Sequence, residues 1–310
     1  MAHHLVLGTG QIGSHLTASL IAQGDTVTVG SRGGASVPGA RALRLDASDA
    51  AAVTTAATGA DTIFVCTNPP YDKWTEQWPP IGTAVIDAAR RTGARVVLMG
   101  NLYGYGPPQG PMTAQTPLAA TETKGLVRVQ LWQRFLDAHN RGDIRAAEVR
   151  ASDYFGPGAQ ETAHLGERFF APLVASKTAY VVGNPALKHS WAYLPDIART
   201  LAAVAGSETA FGRAWIVPAS SNASRLELAR MVNSLRGSHG KVRQIPPLVL
   251  RALGVVNGQM REVAASSYQF MTEFIADAAE TEDRLGVSAT DFGAALVATL
   301  AALDAAHPKP

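Results

Sequence analysis

The chain has 310 residues, of which 46% are hydrophobic and 17% are charged, so it can bury a large core and is not a disordered polymer. Its net charge of +2 is too close to zero to predict binding to nucleic acid or to an anionic membrane. The single cysteine, Cys66, excludes an internal disulfide, and no Cys/His cluster has the spacing of a zinc site, so we expect no metal. No run of 18 apolar residues predicts a membrane span, and a glycine motif that begins by Gly8 leaves no room for a signal peptide. We therefore expect a cytoplasmic protein.

Short apolar runs alternate with longer helical segments over the first two thirds of the chain. Buried strands are predicted at residues 4–10, 26–31, 42–46, 61–67, 94–100, 144–151 and 212–218. Helices are predicted at residues 11–24, 48–59, 73–93, 122–141 and 194–206. This alternation indicates an α/β fold, a doubly wound parallel sheet of the Rossmann type with helices on both faces.

The remainder of the chain has weaker periodicity and more proline, glycine and short polar turns. We expect residues 152–193 and 219–310 to form a smaller, discontinuous substrate-binding lobe. Residues 1–151 and 194–218 would form the dinucleotide-binding domain, because the latter segment returns to the sheet. The lobe would cover the carboxyl edge of the sheet, where ligands bind in such folds.

A glycine motif follows the first predicted strand and opens the first predicted helix. The stretch "LVLGTGQIGSHL" carries Gly8, Gly10 and Gly13 in a G-x-G-x-x-G pattern. The first glycine permits a tight turn, the second lets the backbone approach a pyrophosphate, and the third lets the helix pack on the strand. The helix start, with Gln11 and Ile12 in its first turn, would present backbone amides to the phosphates. The alternative is a glycine-rich turn without a ligand.

The end of the second strand predicts which dinucleotide binds. An NAD site would place Asp or Glu there to hold the ribose hydroxyls, but this chain has Ser31 and Arg32. A hydroxyl and a guanidinium suit a 2′-phosphate, so we expect NADP(H) as the cofactor. Asp46, at the end of the third strand, would bond the adenine. The alternatives are a surface arginine in a turn and a carboxylate in a loop.

Four segments together resemble the extended and atypical short-chain dehydrogenase/reductases, the NAD-dependent epimerase/dehydratase family. They are "LGTGQIG", "NLYGYGP" (101–107), "RASDYFGPG" (150–158) and "HSWAYLPDIART" (189–200). The resemblance extends over nearly the whole chain, and it implies a bound nicotinamide dinucleotide.

The resemblance also implies a Tyr-x-x-x-Lys pair and an upstream hydroxyl, of which this chain keeps only the lysine. Lys124 matches the lysine that holds the nicotinamide ribose, but Ala120 stands at the tyrosine position. The hydroxyl position is Met99, or Asn101 if the alignment is made on the later tyrosine of "NLYGYGP". We expect Thr121 to be the N-cap of the helix, which leaves Lys124 facing the positive end of the helix dipole. A solvated lysine is the alternative to the ribose role.

Other polar residues follow strand ends at the expected ligand edge. Tyr71, Tyr103 and Tyr105 are candidate proton donors, and Asn101 could hydrogen-bond a carbonyl. The alternative is that these tyrosines serve packing or binding, which in the family is the usual role of the residue matching Tyr103. The candidate substrate contacts are Tyr71, Tyr154, His189 and Trp191. For His189 the alternative is a buried histidine without a ligand.

These observations lead to three functional hypotheses. The first is an NADPH-dependent reductase that transfers hydride to a C=O, C=N or conjugated C=C bond of a small, mostly apolar metabolite. The second is an NADPH-binding regulator without turnover. The third is a sugar-nucleotide epimerase or dehydratase, which the missing tyrosine and hydroxyl disfavour.

The resemblance also implies a homodimer formed through two of the predicted helices, residues 73–92 and 122–141. Apolar residues at helical spacing, such as Val127, Leu131 and Phe135, would form its interface. The alternative is that these side chains only cover the sheet.

Overall fold

The computed structural model describes residues 1–160, 163–250 and 258–307. Its strands are β1 (His3–Leu7), β2 (Thr26–Ser31), β3 (Arg41–Arg44), β4 (Thr62–Val65), β5 (Arg95–Asn101), β6 (Ala146–Ala151), β7 (Tyr154–Phe155), β8 (Thr178–Val181), β9 (Trp191–Tyr193), β10 (Ala214–Ile216), β11 (Ala219–Ser221) and β12 (Lys241–Gln244). Its helices are α1 (Gln11–Ala22), α2 (Ala50–Ala56), α3 (Trp74–Thr92), α4 (Thr123–Asn140), α5 (Glu167–Val174), α6 (Leu194–Gly206), α7 (Arg225–Arg236), α8 (Gly258–Ala265), α9 (Ala279–Leu285) and α10 (Phe292–Ala306). Within these ranges, no helix combines the length and the apolar character needed to cross a membrane.

Seven strands form one parallel sheet in the order β10-β6-β5-β4-β1-β2-β3. The strand order reverses between β1 and β4, so a crevice lies outside the carboxyl ends of these two strands, the position at which such folds bind ligands. This arrangement confirms the predicted α/β fold with a doubly wound parallel sheet. The first strand ends at Leu7, earlier than predicted, because Gly8 takes a positive φ of 107° and begins the turn.

Helices cover both faces of the sheet. Residues of one parity, such as Leu5 and Ile63, pack toward α2, α3 and α4, whereas their neighbours Val6 and Phe64 pack toward α1 and α6. Continuous apolar strands are expected of a parallel sheet that is buried on both faces. The aromatic residues Trp74 and Trp78 of α3 are each 1% exposed and belong to the first of these cores.

The N-cap of α4 differs from the prediction by one residue. The cap is Glu122, whose carboxylate accepts hydrogen bonds from the backbone N–H groups of Lys124 (2.5 Å) and Gly125 (2.6 Å). The prediction of Thr121 is wrong because α4 begins at Thr123, which makes Glu122 the residue at the cap position. The caps of α2 and α4 are thus both acidic, since Asp49 accepts from the N–H of Ala52 at 3.0 Å.

The apolar residues expected at a dimer interface are buried inside the chain. Val127, Leu131 and Phe135 are 8%, 3% and 1% exposed, and they pack within the core beneath α3 and α4. These side chains are therefore not exposed for a dimer interface, and the alternative, that they cover the sheet, is what the structure has. Self-association itself stays a prediction.

The second half of the chain builds a smaller group of elements beside the sheet. Strands β11, β9 and β7 form a three-stranded sheet, and β12 pairs with β8. Their core includes Phe155, Phe169, Trp191 and Phe270. Two elements from this half of the chain belong to the large sheet instead: α6 packs against α1, and β10 joins the edge of the sheet. The division of the chain into two domains at these points stays a prediction.

Candidate active site

A cavity of about 950 Å³ runs along the carboxyl ends of the sheet strands. One end is lined by Arg32 and Asp46, which follow β2 and β3, and the other by Asp153, Tyr154 and His164, which follow β6; the glycine loop between β1 and α1 lies between them. The strand ends supply polar groups between these two ends, and Asn68 and Asn101 are among them. Its volume is at the upper end of the range for ligand sites.

The glycine loop has the geometry of a phosphate cradle. A Cβ atom at Gly13 would lie 1.9 Å from the carbonyl oxygen of Gly8, so only glycine lets α1 pack this closely on β1. A Cβ atom at Gly10 would meet no atom within 4 Å, which means that open space lies in front of the helix N-terminus. Gly8, Gly10, Gln11 and Ile12 line the cavity. The loop therefore fits a dinucleotide pyrophosphate.

The residues predicted to select the dinucleotide lie together at the ends of β2 and β3. Ser31, Arg32 and Asp46 all line the cavity. The Ser31 hydroxyl oxygen accepts a hydrogen bond from the N–H of Ala35 at 3.0 Å, and the Arg32 side chain is exposed. Hydrogen bonds from the backbone and the side chain of Ser48 lower the pKa of Asp46, so this carboxylate is ionised at neutral pH.

Lys124 is 2% exposed and is not among the residues that line the cavity. Its Nζ lies 3.1 Å from Oε2 of Glu262 on α8, and it also donates a hydrogen bond to the carbonyl oxygen of Tyr71. The side chain thus joins α4 to α8 and to the turn before α3.

The three candidate tyrosines lie in two different environments. The hydroxyls of Tyr71 and Tyr103 are 2.9 Å apart, and both residues line the cavity. Tyr105 lies outside the cavity, where its hydroxyl oxygen accepts a hydrogen bond from Nη1 of Arg150 at 2.7 Å. Burial raises the pKa of all three phenols, most strongly at Tyr103. These tyrosines therefore hold their protons at neutral pH, and none of them is an effective base.

Arg128 is a cavity residue that the sequence analysis did not identify. Its guanidinium lies 4.6 Å from the ring centroid of Trp74 and 4.4 Å from that of Trp78. It donates hydrogen bonds to the carbonyl oxygen of Met99 (3.3 Å) and to Oδ1 of Asn68 (3.4 Å). Arg128 lies four residues after Lys124 on the same helix. Because residues at that spacing share a face, the sequence could have predicted that Arg128 lies near the Lys124 side of the site.

Asp153 and His164 were also missed, and they form a polar cluster at the far end of the cavity. Oδ2 of Asp153 lies 2.8 Å from Nε2 of His189, and Oδ1 lies 4.0 Å from Nε2 of His164. Burial lowers the pKa of His164 and outweighs the opposing effect of Asp153, so this imidazole is neutral at neutral pH. Asp153 lies within the quoted "RASDYFGPG", but nothing in that stretch indicated a histidine partner.

The two predicted substrate contacts on "HSWAYLPDIART" do not line the cavity. His189 is 3% exposed and stacks on Phe270 and Phe274, with centroids 4.8 and 5.1 Å apart. Trp191 donates from Nε1 to the carbonyl oxygen of Ala223 at 2.9 Å. Tyr154 does line the cavity. His189 contacts the cavity-lining Asp153, whose Oδ2 lies 2.8 Å from its Nε2. Within the described residues, no group of three or more potential ligands surrounds a metal position.

Comparison with known proteins identifies a family and a fold. The model of the NAD dependent epimerase/dehydratase family matches residues 4–215. No protein of curated function matches the sequence. The solved structures that match include an epimerase from Methanothermobacter thermautotrophicus, with 17% identity and a TM-score of 0.82 over 98% of this chain and 92% of that one.

Two further matches are structures of UDP-sugar epimerases. One is UDP-glucuronic acid 4-epimerase from Bacillus cereus in complex with NAD, with 14% identity and a TM-score of 0.80 over 98% of this chain and 99% of that one. The other is UDP-glucose 4-epimerase from Thermotoga maritima with UDP-glucose, with 13% identity and a TM-score of 0.81 over 98% and 99% of the two chains. At such identities the match shows the shared fold.

These findings overturn the first functional hypothesis. A reductase of small apolar metabolites was predicted, whereas the proteins that share the fold over almost the entire chain include two UDP-sugar epimerases. The prediction was wrong because it treated the missing tyrosine as evidence against sugar nucleotides. The cavity contains other groups that can accept a proton.

Proposed function

Because the chain belongs to the NAD-dependent epimerase/dehydratase family, we propose that it is an enzyme that acts on a nucleotide-linked sugar with a bound nicotinamide dinucleotide. The reaction is the reversible oxidation of a carbinol carbon of the sugar, as in an epimerisation. The proposal also draws on the UDP-sugar enzymes that share the fold.

The continuity of the cavity is the observation that carries this proposal. One space joins the glycine loop, which suits a dinucleotide, to Asp153, Tyr154 and His164, which suit a second, polar ligand. A protein that only sensed a dinucleotide would not need the second end.

The glycine loop would hold the pyrophosphate, with Gly10 leaving room for it in front of α1. Ser31 and Arg32 would receive a 2′-phosphate, which favours NADP over NAD, although the enzymes that share the fold are complexed with NAD. When bound, the nicotinamide takes a hydride from a carbinol carbon and can return it.

His164 is the best candidate for the proton transfer that accompanies this step. A carbinol that loses hydride from carbon must also lose its hydroxyl proton, so the site needs a base that is unprotonated before the reaction. The imidazole of His164 meets this requirement. His164 lines the cavity, and its side chain is 28% exposed. The nearby carboxylate of Asp153 would stabilise the protonated form of the ring. The buried phenols of Tyr71 and Tyr103 do not meet the requirement.

The test is turnover of a panel of UDP-sugars by protein loaded with NAD or with NADP. We expect a new epimer or an oxidised sugar in the NMR spectrum of at least one of them, together with slow accumulation of reduced cofactor at 340 nm. The matched control is His164→Gln, which should keep cofactor binding and lose turnover. Loaded wild-type protein that converts no member of the panel would contradict the proposal.

A further inference from the structure

Two cations of α4 both lie over the ring of Trp74, but only one of them lines the cavity. Lys124 and Arg128 are one helical turn apart, about 6 Å along the axis, and therefore share a face of the helix. The Lys124 ammonium is bound to Glu262 of α8 and to the carbonyl oxygen of Tyr71, and the residue does not line the cavity. Arg128 is 7% exposed and does line it.

The guanidinium of Arg128 has donors to spare. Of its five N–H bonds, one on Nη1 and one on Nη2 are directed at Met99 and Asn68. Its Nε has no hydrogen-bond partner in the part of the chain that the structure describes. Within the same residues, no carboxylate lies within 4.0 Å of the guanidinium, although Glu148 acts on it from a longer distance. A buried cation in this state gains from a ligand that supplies oxygen acceptors.

The position of Arg128 indicates which part of a dinucleotide it would meet. In this strand order the two halves of a dinucleotide lie on opposite sides of the reversal between β1 and β4. Arg32 and Asp46 follow β2 and β3, on the adenosine side. The partners of Arg128 belong to β5 and to the loop after β4, on the nicotinamide side.

We propose that Arg128 holds the nicotinamide ribose of the cofactor by donating hydrogen bonds from its guanidinium fork to the two ribose hydroxyls. The stacking on Trp74 and Trp78 fixes the plane of the guanidinium, so the fork is oriented before the ligand arrives. Lys124, which the resemblance assigns to the ribose, instead fastens α8 to α4 through Glu262. This inference rests on the proposed function only in requiring that a nicotinamide dinucleotide binds.

The experiment measures the affinities of ADP, ADP-ribose and NAD, or of their 2′-phosphorylated forms, by calorimetry. The three ligands differ in whether they carry the second ribose and the nicotinamide. Arg128→Met should weaken NAD and ADP-ribose by roughly 10- to 100-fold, the effect of losing hydrogen bonds from a charged donor, and leave ADP unchanged. Unchanged ADP binding also shows that the variant is folded, and Arg128→Lys tests the fork without removing the charge.

Two control variants complete the design. Lys124→Met should lower the melting temperature because Glu262 loses its partner, and it should leave all three affinities within about twofold of the wild type. Arg134→Met, on an exposed part of the same helix where the guanidinium bonds to Pro79 and Thr83 of α3, should leave all three affinities unchanged.

Three results would overturn the proposal. They are NAD affinity unchanged in Arg128→Met, an equal loss for ADP in that variant, and a loss specific to NAD in Lys124→Met. Wild-type protein that binds no dinucleotide would overturn both this inference and the proposed function. Wild-type protein that binds NAD but converts no sugar would contradict the proposed function alone.

Discussion

Asp153 accepts a hydrogen bond from one histidine and faces another. Its Oδ2 lies 2.8 Å from Nε2 of His189, while its Oδ1 lies 4.0 Å from Nε2 of His164. His189 is buried and stacks on Phe270, so its hydrogen bond holds the Asp153 carboxylate in place beside the cavity. His164 consequently has a negative charge beside it whose position does not depend on a ligand.

The pH dependence of turnover should follow His164. Burial lowers its pKa below the usual 6.5, Asp153 opposes this effect, and Arg225 and His189 add to it. The rate should therefore be flat near neutral pH and should fall in acid as pH drops through the pKa of His164, because the protonated imidazole cannot accept another proton. Tyr71→Phe should keep this profile.

The substitution Asp153→Asn also tests whether His164 is the proton acceptor, by lowering the pKa of this histidine. The substitution removes the charge that raises the pKa of His164, so the acid limb of the pH profile should move to lower pH. NMR titration of the His164 ring, assigned by comparison with His164→Gln, should show the same shift. An acid limb that stays in place in Asp153→Asn would be inconsistent with His164 as the proton acceptor.

Arg32 should determine the preference between the two dinucleotides. Replacing Arg32 by Ala should weaken NADP binding by about 1.5–3 kcal/mol, the range for a hydrogen bond to a charged group, and should leave NAD nearly unchanged. Titration of both cofactors into wild type and variant measures the difference. Equal losses for the two cofactors would show that Arg32 does not contact a 2′-phosphate.

The sequence predicted the sheet and the glycine loop well because both depend on local patterns. Apolar runs such as residues 26–31 match β2 residue for residue, and the spacing of Gly8, Gly10 and Gly13 predicted the tight turn between β1 and α1. The far end of the cavity was not predictable in this way. Asp153 and His164 approach each other only in the folded chain, where both line the cavity, and no short motif records that contact.

The role of Lys124 was also beyond the reach of local reasoning. Its partner Glu262 lies 138 positions later on α8, so the pair appears only when the chain is folded. The burial of Leu131 and Phe135 has a similar cause. Helical spacing indicated an apolar face, but only the folded chain shows that α3 and the sheet already cover it.

Two glycines of the loop should respond differently to substitution. Gly10→Ser places a side chain in open space at the N-cap of α1, where serine is favoured, so the free energy of unfolding should stay the same or rise slightly. The same side chain would occupy the space for the pyrophosphate, so dinucleotide binding should be lost. Gly13→Ala places a methyl group 1.9 Å from the Gly8 oxygen and should cost about 1–3 kcal/mol of stability. Chemical denaturation and cofactor titration separate the two effects, and a destabilised Gly10→Ser protein would count against the open cradle.

The start of α4 offers a test of local structure that is independent of any ligand. Glu122→Ala removes the carboxylate that accepts from the first-turn amides of Lys124 and Gly125, and loss of an N-cap costs about 0.5–2 kcal/mol. Thr121→Ala is the matched control at the preceding position, and it should change the free energy of unfolding by less than about 0.5 kcal/mol, as expected for an exposed residue outside a cap. Urea denaturation of the two variants measures both values. A larger loss of stability at Thr121 than at Glu122 would place the cap one residue earlier. Lys124 would then face the positive end of the helix dipole with no carboxylate between them.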